Sequence, residues 1–266
     1  MPLTTHAPDA IDAIDAAIAA RPSGHHLLLV LDFASALIDP DAPDRLAPRR
    51  RAILAWLAHQ PDTSVAVSSW RPLVDVTRRV GLSAPVLYVG LRGLEVAGQG
   101  IAFAHAATTE SVGLVARIAR SLSVLTADLQ GVTLEHHGPS LTLHLGDATP
   151  AAADLAEEAL DRVAASHVAN DLLRPHRTAR AIEVLPSSSW DEADALALLR
   201  TELGQVHARP VWPVCIADDV RGARLFQAVE AAGVSVAVGD RPGRASFRLR
   251  DADGVERLLR RLLGDA

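Results

Sequence analysis

The first third of the chain contains three uninterrupted apolar runs, and amphipathic segments separate them. The runs occupy residues 26–32, 64–68 and 86–89. A strand that is apolar on both faces is typical of a parallel sheet covered by helices on each side. Helical periodicity at 48–59 and 72–80 supplies such helices. This βαβαβ order predicts an α/β fold built on a mainly parallel sheet.

The middle of the chain follows a different pattern. Segments 132–136 and 140–145 alternate apolar and polar residues on either side of a Gly-Pro turn, which predicts a β-hairpin with one exposed face. The other elements predicted there are helices at 111–125 and 150–170 and a strand at 181–185. Together these elements predict a small α+β module.

Buried strands return after this module, at 212–217 and 234–238, with a helix between them. We therefore predict a Rossmann-like core whose mainly parallel sheet carries an inserted α+β cap. The predicted boundaries are an N-terminal helix and linker at 1–23, the core at 24–107 and 187–266, and the cap at 108–186.

Composition excludes several kinds of chemistry. All 26 of the residues counted as Lys or Arg are arginines. Without lysine the chain can form neither a Schiff base nor a Walker A phosphate loop. The single cysteine, Cys215, excludes a disulfide framework, and its apolar surroundings predict a core position. The run Arg49-Arg50-Arg51 opens a predicted helix, where it is interpreted as a solvated face.

Charge and hydropathy indicate the surroundings in which the protein works. A net charge of −6 leaves no electrostatic footprint for nucleic acid. No run approaches the roughly 18 apolar residues of a membrane helix, so no membrane partner is expected. The first ten residues lack the pattern of a secretory signal. We therefore expect a soluble cytoplasmic protein.

Polar residues close three of the predicted strands. They are Asp32, the pair Ser68-Ser69 and the pair Asp218-Asp219. Ligands of open parallel sheets bind outside the carboxyl ends of the strands. Carboxylates from two strands would form a hard oxygen site suited to Mg²⁺. The alternative is that each Asp only caps a helix.

At these positions the chain resembles the haloacid dehalogenase superfamily and, within it, the trehalose-6-phosphate phosphatases. The resemblance extends over almost the whole chain, from about Leu27 to Leu263. The motifs D-x-D-G-T, V-I-S-G-R and H-G-x-E of the family correspond to residues 32–36, 67–71 and 92–95. Its cap motif, E-x-K-G…H-x-R, corresponds to residues 135–138 and 144–146. The motifs E-x-R-P and G-D-D-x-T-D-E-x-x-F correspond to residues 183–186 and 217–226.

The resemblance implies roles for the residues that match. Asp32 stands at the position of the nucleophile that attacks phosphorus. The carboxylates of Asp32 and Asp218 and the backbone carbonyl of Ala34 would hold Mg²⁺, with Asp219 beside them. Ser69 would donate a hydrogen bond to the phosphoryl group.

The resemblance also implies four substrate-binding residues. Arg71 and Arg92 are the cations near the phosphate position. Glu135 and His137 stand at sugar-reading positions of the cap. The implied substrate is a sugar phosphate such as trehalose 6-phosphate.

Several of the family's catalytic groups are replaced in this chain. Ala34 stands in place of the general acid and base, whose removal costs about 10²–10⁴-fold in rate. Asp191 aligns near the family's lysine, and losing one charge stabiliser costs about 10²–10³-fold. Trp70 replaces a glycine, so it is expected either to fill part of the pocket or to push its loop outward.

These replacements favour a pseudophosphatase that keeps a binding or regulatory role in trehalose metabolism. Its partner would be a sugar phosphate or a protein of the trehalose pathway, and its Mg²⁺ binding would be weak or lost. The alternative is an active Mg²⁺-dependent phosphatase that hydrolyses trehalose 6-phosphate or another sugar phosphate.

Overall fold

A computed structural model describes residues 9–39, 45–178, 180–219, 222–230, 232–241 and 243–264. The chain divides into two compact units. The first consists of Met1–Phe103 and Trp190–Ala266, and the second of Ala104–Ser189. Within the described ranges, no helix is long and apolar enough to cross a membrane.

The first unit is organised by an eight-stranded sheet of strand order β12-β11-β10-β1-β2-β3-β4-β5. The strands are β1 His26–Asp32, β2 Thr63–Ser68, β3 Leu87–Gly90, β4 Glu95–Gly98, β5 Ile101–Ala104, β10 Val211–Ala217, β11 Val234–Val238 and β12 Phe247–Leu249. The six strands from β12 to β3 pair in parallel, and β4 runs antiparallel to β3. The predicted α/β class with a mainly parallel sheet is confirmed.

Helices cover both faces of this sheet. They are α1 Asp9–Ala19, α2 Pro48–Ala58, α3 Leu73–Val80, α6 Glu192–His207, α7 Ala223–Val229 and α8 Ala252–Leu262. Side chains of β1 alternate between two cores: Leu29 and Leu31 pack with α1, α2, α3 and α8, while Leu28 and Val30 pack with α6 and α7. Every residue of β1 is buried, because each face of the central strand meets a helical layer.

The second unit is a four-stranded antiparallel sheet with two helices. Its elements are α4 Ala106–Leu125, β6 Thr133–His137, β7 Ser140–His144, α5 Pro150–Ala169, β8 Leu173–Arg177 and β9 Ala181–Pro186. The strand order is β6-β7-β9-β8. The predicted hairpin is confirmed, with His137 opposite Ser140. Leu141, Leu143 and Ile182 point to the core that α4 and α5 share.

The interpretation of Arg49-Arg50-Arg51 as a solvated face is wrong for Arg50. Its side chain is 1% exposed, and its guanidinium donates to the carbonyl of Leu37 at 3.0 Å. It also pairs with Asp253 at 2.6 Å and with Glu256 at 3.2 Å. Both acids belong to α8, which lies about two hundred residues away in the sequence. A local sequence pattern therefore cannot predict this contact.

Replacing Arg50 should destabilise the first unit strongly. Arg50→Met removes the buried guanidinium that joins Leu37, Asp253 and Glu256, while Glu256 keeps Arg49 at 2.9 Å and Arg260 at 3.2 Å. Losing hydrogen bonds to charged groups costs about 1.5–3 kcal/mol. The free energy of unfolding, from urea titration, measures the loss. Arg51→Met, at an exposed position of the same helix, is the matched control and should change it by less than about 0.5 kcal/mol. Equal effects of the two substitutions would refute the buried network.

A buried histidine should make stability depend on pH. The ring of His26 is 1% exposed, hydrogen-bonds Ser64 at 2.9 Å and stacks on His207 with centroids 3.8 Å apart. Burial, aided by the charge of His207, lowers the pKa of His26 to about 4.

The unfolded chain then takes up a proton below pH 6.5 while the folded chain does not. We expect about 3 kcal/mol of stability to be lost as the pH falls from about 6.5 to about 4. His26→Gln should flatten this part of the stability–pH curve in urea titrations. His59→Gln, at an exposed ring, should leave the curve unchanged, and a flat curve for the unmodified protein would contradict the account.

Candidate active site

Asp32 lies at the carboxyl end of the central strand β1, directly opposite Ser68 of β2. It is 3% exposed and caps the short helical turn Phe33–Leu37. Its Oδ1 accepts hydrogen bonds from the backbone N–H of Ser35 at 2.8 Å and from the Ser35 hydroxyl at 2.7 Å. One oxygen of the candidate nucleophile therefore already has two donors from the chain itself.

Ser35 is a site residue that the sequence analysis did not single out. Its Oγ also accepts a hydrogen bond from the backbone N–H of Asp218 at 2.9 Å. Ser35 thus links the carboxyl ends of β1 and β10, which are neighbours in the sheet. The available sequence signal was the Asp itself, since Asp is a preferred N-cap whose side chain accepts from backbone N–H groups of the following turn.

The cavity around Asp32 is nearly filled. Its volume is about 10 Å³, which is room for at most a single water molecule. The lining residues are Asp32, Ser68, Ser69, Trp70, Arg92, Glu192, Ala217 and Leu225. A phosphoryl group does not fit in this arrangement.

Three side chains close the cavity. The guanidinium of Arg92 lies over the ring of Trp70, with Cζ 4.8 Å from the ring centroid. It also forms a bidentate pair with Glu192, at 2.7 Å from Nε to Oε1 and 3.2 Å from Nη2 to Oε2. Trp70 is 8% exposed and Glu192 is 4% exposed. We call these three residues the plug.

Burial and charge act in opposite directions on Glu192. Its burial raises the pKa of the carboxyl, and the charge and hydrogen bonds of Arg92 partly offset that effect. Breaking the pair would leave Glu192 as a buried, uncompensated charge, which is costly. Arg92, predicted to bind substrate, is therefore engaged by Glu192.

The backbone that carries Arg92 is strained. Leu91 and Arg92 have φ values of 49° and 57°, and Gly93 follows with 97°. Such values are uncommon for residues other than glycine. At Gly93 a Cβ atom would lie 2.5 Å from the backbone oxygen of Asp191, so only glycine fits there. This loop places the guanidinium in the cavity.

Arg71 and Ser69, also predicted site residues, lie on the loop after β2. Ser69 is 6% exposed, and its Oγ accepts a hydrogen bond from the backbone N–H of Arg71 at 3.0 Å. The Arg71 side chain pairs with Asp75 at 3.1 Å. Burial would raise the pKa of Asp75, but the hydrogen bond and charge of Arg79, with Arg71 and Arg78, outweigh it and lower that pKa.

At the start of α6, the acidic residue that lines the cavity is Glu192 and not its neighbour Asp191. Asp191 caps α6, where its Oδ1 accepts from the backbone N–H of Ala193 at 2.8 Å. Its other oxygen accepts from Nε of Arg224 at 2.6 Å. The family's lysine aligns near Asp191, but the side chain that reaches the cavity belongs to the next residue, Glu192. This side chain carries a negative charge, where the family has a positive one.

The predicted cap residues come together in the second unit. Oε2 of Glu135 lies 3.4 Å from Nε2 of His137 and 3.2 Å from Nε2 of His144. Glu135 and His137 are two residues apart on β6, so their side chains share one face of the sheet.

The sequence matches the trehalose-phosphatase family model over residues 30–253. The chain belongs to the trehalose-phosphatase family. It is 29% identical to the trehalose-phosphate phosphatase of Mycobacterium marinum over 96% of its own length and 65% of that protein's. The chain thus spans just under two thirds of the length of the trehalose-phosphate phosphatases that it matches.

Solved structures share the fold. The C-terminal domain of the Candida albicans trehalose-6-phosphate phosphatase aligns with a TM-score of 0.76 at 16% identity, over 96% of this chain and 97% of that one. The C-terminal domain of the Candida albicans trehalose synthase regulatory protein aligns with 0.69 at 12% identity, over 94% and 97%. The resemblance found in the sequence and the haloacid dehalogenase-like fold are confirmed.

Haloacid dehalogenase phosphatases generally use Mg²⁺, and the donors of this trehalose-phosphatase family member fit the ion poorly. Asp219 pairs with Arg248 at 2.7 Å. Asp32 already accepts two hydrogen bonds, and Mg²⁺ usually keeps several waters that a 10 Å³ cavity cannot hold. Within the described ranges, no three His, Cys, Asp or Glu side chains form a metal cluster; Val220 and Arg221 of the last motif lie outside those ranges.

Proposed function

We propose that this chain is a catalytically impaired trehalose-phosphatase family member with a binding or regulatory role in trehalose metabolism. The observation that carries the proposal is the plug: Trp70, Arg92 and Glu192 leave about 10 Å³ beside Asp32. A phosphate cannot approach the nucleophile unless these side chains move.

The chemistry of the site supports the same proposal. Ala34 supplies neither the acid that protonates a leaving alkoxide nor the base that activates water. The cavity contains the carboxylates of Asp32 and Glu192, which repel a phosphate dianion at short range. Arg92, which lines the same cavity, is already paired with Glu192 and would have to leave it to meet a phosphate.

The proposal assigns a different role to each of the two units. The Rossmann-like core, at 24–107 and 187–266, would hold the plugged site. The cap, at 108–186, would carry the ligand-reading residues Glu135 and His137. The ligand is a sugar phosphate such as trehalose 6-phosphate, or the partner is a protein of the trehalose pathway. A solved protein of this fold that is named as a regulatory protein supports the second possibility.

Magnesium binding at Asp32, the Ala34 carbonyl and Asp218 is proposed to be weak or lost. Calorimetric titration with MgCl₂ should show no saturable heat below millimolar concentration. Asp32→Asn should leave the titration unchanged. Saturation at micromolar Mg²⁺ that Asp32→Asn abolishes would contradict this part of the proposal.

The alternative is an active Mg²⁺-dependent phosphatase of trehalose 6-phosphate or another sugar phosphate. Its support is that Asp32 stays at the end of β1 and that two arginines, Arg71 and Arg92, lie close to the site. It requires Arg92 to leave Glu192 and turn towards substrate.

One experiment separates the two functions. Trehalose 6-phosphate is titrated into the full chain by calorimetry, and phosphate release is followed in the same solution with and without Mg²⁺. The proposal predicts saturable heat without phosphate release. Release at ordinary enzymatic rates establishes the alternative, and the absence of binding overturns the proposed ligand.

A further inference from the structure

A recess of about 400 Å³ lies in the first unit, at the amino-terminal ends of β1 and β2. Leu27 of β1 and Thr63 of β2, which are paired in register, both line it. Asp32 is at the opposite end of β1. At a rise of about 3.3 Å per residue, the five steps of strand from Leu27 to Asp32 cover about 17 Å. The recess is therefore separate from the candidate active site.

The size of the recess suits an organic molecule. Its walls are formed by the end of α1, the turn between α2 and β2, and the end of α8. Small-molecule sites are concave and have volumes of about 300–1,000 Å³. The recess lies within this range, whereas the cavity beside Asp32 has only about 10 Å³.

Apolar side chains form the floor of the recess. Ile18, Leu27 and Leu57 line it, and each of them is at most 5% exposed, so they lie deepest. Leu262 of α8 also lines it and is half-buried. A hydrocarbon group that covers these side chains leaves water, which favours binding.

The charged residues of the recess differ in whether they are already paired. Arg261 pairs with two acids of α1, Asp12 and Asp15, each at 3.3 Å. Asp62 pairs with Arg209. The half-buried side chain of Arg21 forms no hydrogen bond or ion pair with any residue in the described part of the chain. A ligand can therefore meet the Arg21 guanidinium without breaking an existing pair.

These features together indicate the ligand class. A guanidinium matches a carboxylate group through two parallel hydrogen bonds. The carboxylates of Asp15 and Asp62 also line the recess, and they repel a doubly charged phosphate monoester more strongly than a singly charged carboxylate. The apolar floor favours a hydrocarbon body over a polyhydroxyl one. A small monocarboxylate with a hydrocarbon body meets all three conditions.

We propose that this recess binds a small amphiphilic monocarboxylate, with its carboxylate on Arg21 and its hydrocarbon body against Ile18, Leu27, Leu57 and Leu262. Arg21 is the specificity-determining residue in this assignment. The site goes beyond the proposed function, because neither the plug nor a sugar phosphate takes part in it.

The first test is an NMR titration of the ¹⁵N-labelled full chain with sodium hexanoate at constant ionic strength. The backbone amide signals of Arg21, Leu27 and Thr63 should shift together and saturate below about 10 mM. Acetate, which lacks most of the hydrocarbon body, should bind at least about tenfold more weakly. Hexyl phosphate should also bind more weakly than hexanoate. The absence of saturable shifts at these residues, or tighter binding of hexyl phosphate, overturns the assignment.

The second test replaces the cation. Arg21→Ala should weaken hexanoate binding about ten- to hundredfold, because a charge-assisted hydrogen bond is lost. Arg257→Ala is the matched control: it removes the same charge from an exposed position of α8 that does not line the recess, and it should change the affinity less than about twofold.

The melting temperature shows whether Arg21→Ala acts through folding. It should stay at the value of the unmodified chain, because the Arg21 side chain has no partner to lose within the described ranges. Equal affinities of Arg21→Ala and the unmodified chain overturn the assignment. If Arg21→Ala is less stable, the ranking of the three ligands on the unmodified chain decides. Neither trehalose 6-phosphate binding nor its hydrolysis enters these tests, so their failure leaves the proposed function standing.

Discussion

Hydrolysis of trehalose 6-phosphate by this chain is expected to run about 10⁴–10⁷-fold slower than by an intact family member. The missing acid and base at Ala34 costs about 10²–10⁴-fold, and the missing cation costs about 10²–10³-fold. The two effects need not multiply fully, because groups that act together are not additive. Moving the plug aside costs further free energy, which slows the reaction beyond these two losses.

The measurement is steady-state phosphate release with saturating Mg²⁺, beside the Mycobacterium marinum trehalose-phosphate phosphatase that the chain resembles. A rate within about tenfold of that enzyme would contradict the account. The physical route to such a result is Arg92, which could supply the missing positive charge if it turned from Glu192 to the substrate.

Restoring three positions should recover much of the lost rate. Trp70→Gly opens the cavity, Ala34→Asp returns an acid and base, and Glu192→Lys replaces the buried negative charge with a positive one. Ala34 is exposed, so a carboxylate there needs no repacking. The triple variant should release phosphate at least about 10³-fold faster than the unmodified chain.

Two variants make this result interpretable. Adding Asp32→Asn to the triple variant should abolish the gain, because the nucleophile is then absent. Trp70→Gly alone should not give a gain of this size, because Arg92 and Glu192 still line the cavity and the acid and the cation are still missing. A triple variant that keeps its cooperative thermal unfolding but shows no gain would mean that the plug and these two positions are not what limits the site.

The sequence predicts those parts of the fold that depend on a local pattern of apolar residues. The doubly buried strands β1, β2 and β10 read as apolar runs, and the core position predicted for Cys215 is confirmed by its 0% exposure. Strand β8 was missed because Leu173–Arg177 includes a proline and two arginines, which break the alternation. The partners of Arg50 are contributed by α8, so its burial follows only from tertiary structure.

The sequence predicts which strand ends form the candidate site, but it does not predict the side-chain pairing that closes the cavity. The order of motifs located Asp32, Ser69 and Asp218 at strand ends. Of the two outcomes expected for Trp70, the structure shows the one in which the ring lies in the pocket. The roles of Asp191 and Glu192 could have been separated by a capping signal, since Asp191 and Asp194 form a capping box at the start of α6. The pairing of Arg92 with Glu192 joins residues one hundred positions apart, and no local pattern indicates it.

The most direct test of the proposed impairment compares the unmodified chain with Asp32→Asn in trehalose 6-phosphate hydrolysis. If the site is closed and lacks its acid and cation, the two proteins should release phosphate at the same background rate in the presence of Mg²⁺. A turnover of about 1–10³ s⁻¹, the ordinary range for enzymes, that Asp32→Asn abolishes would show instead that Asp32 is a working nucleophile and that the plug opens for substrate.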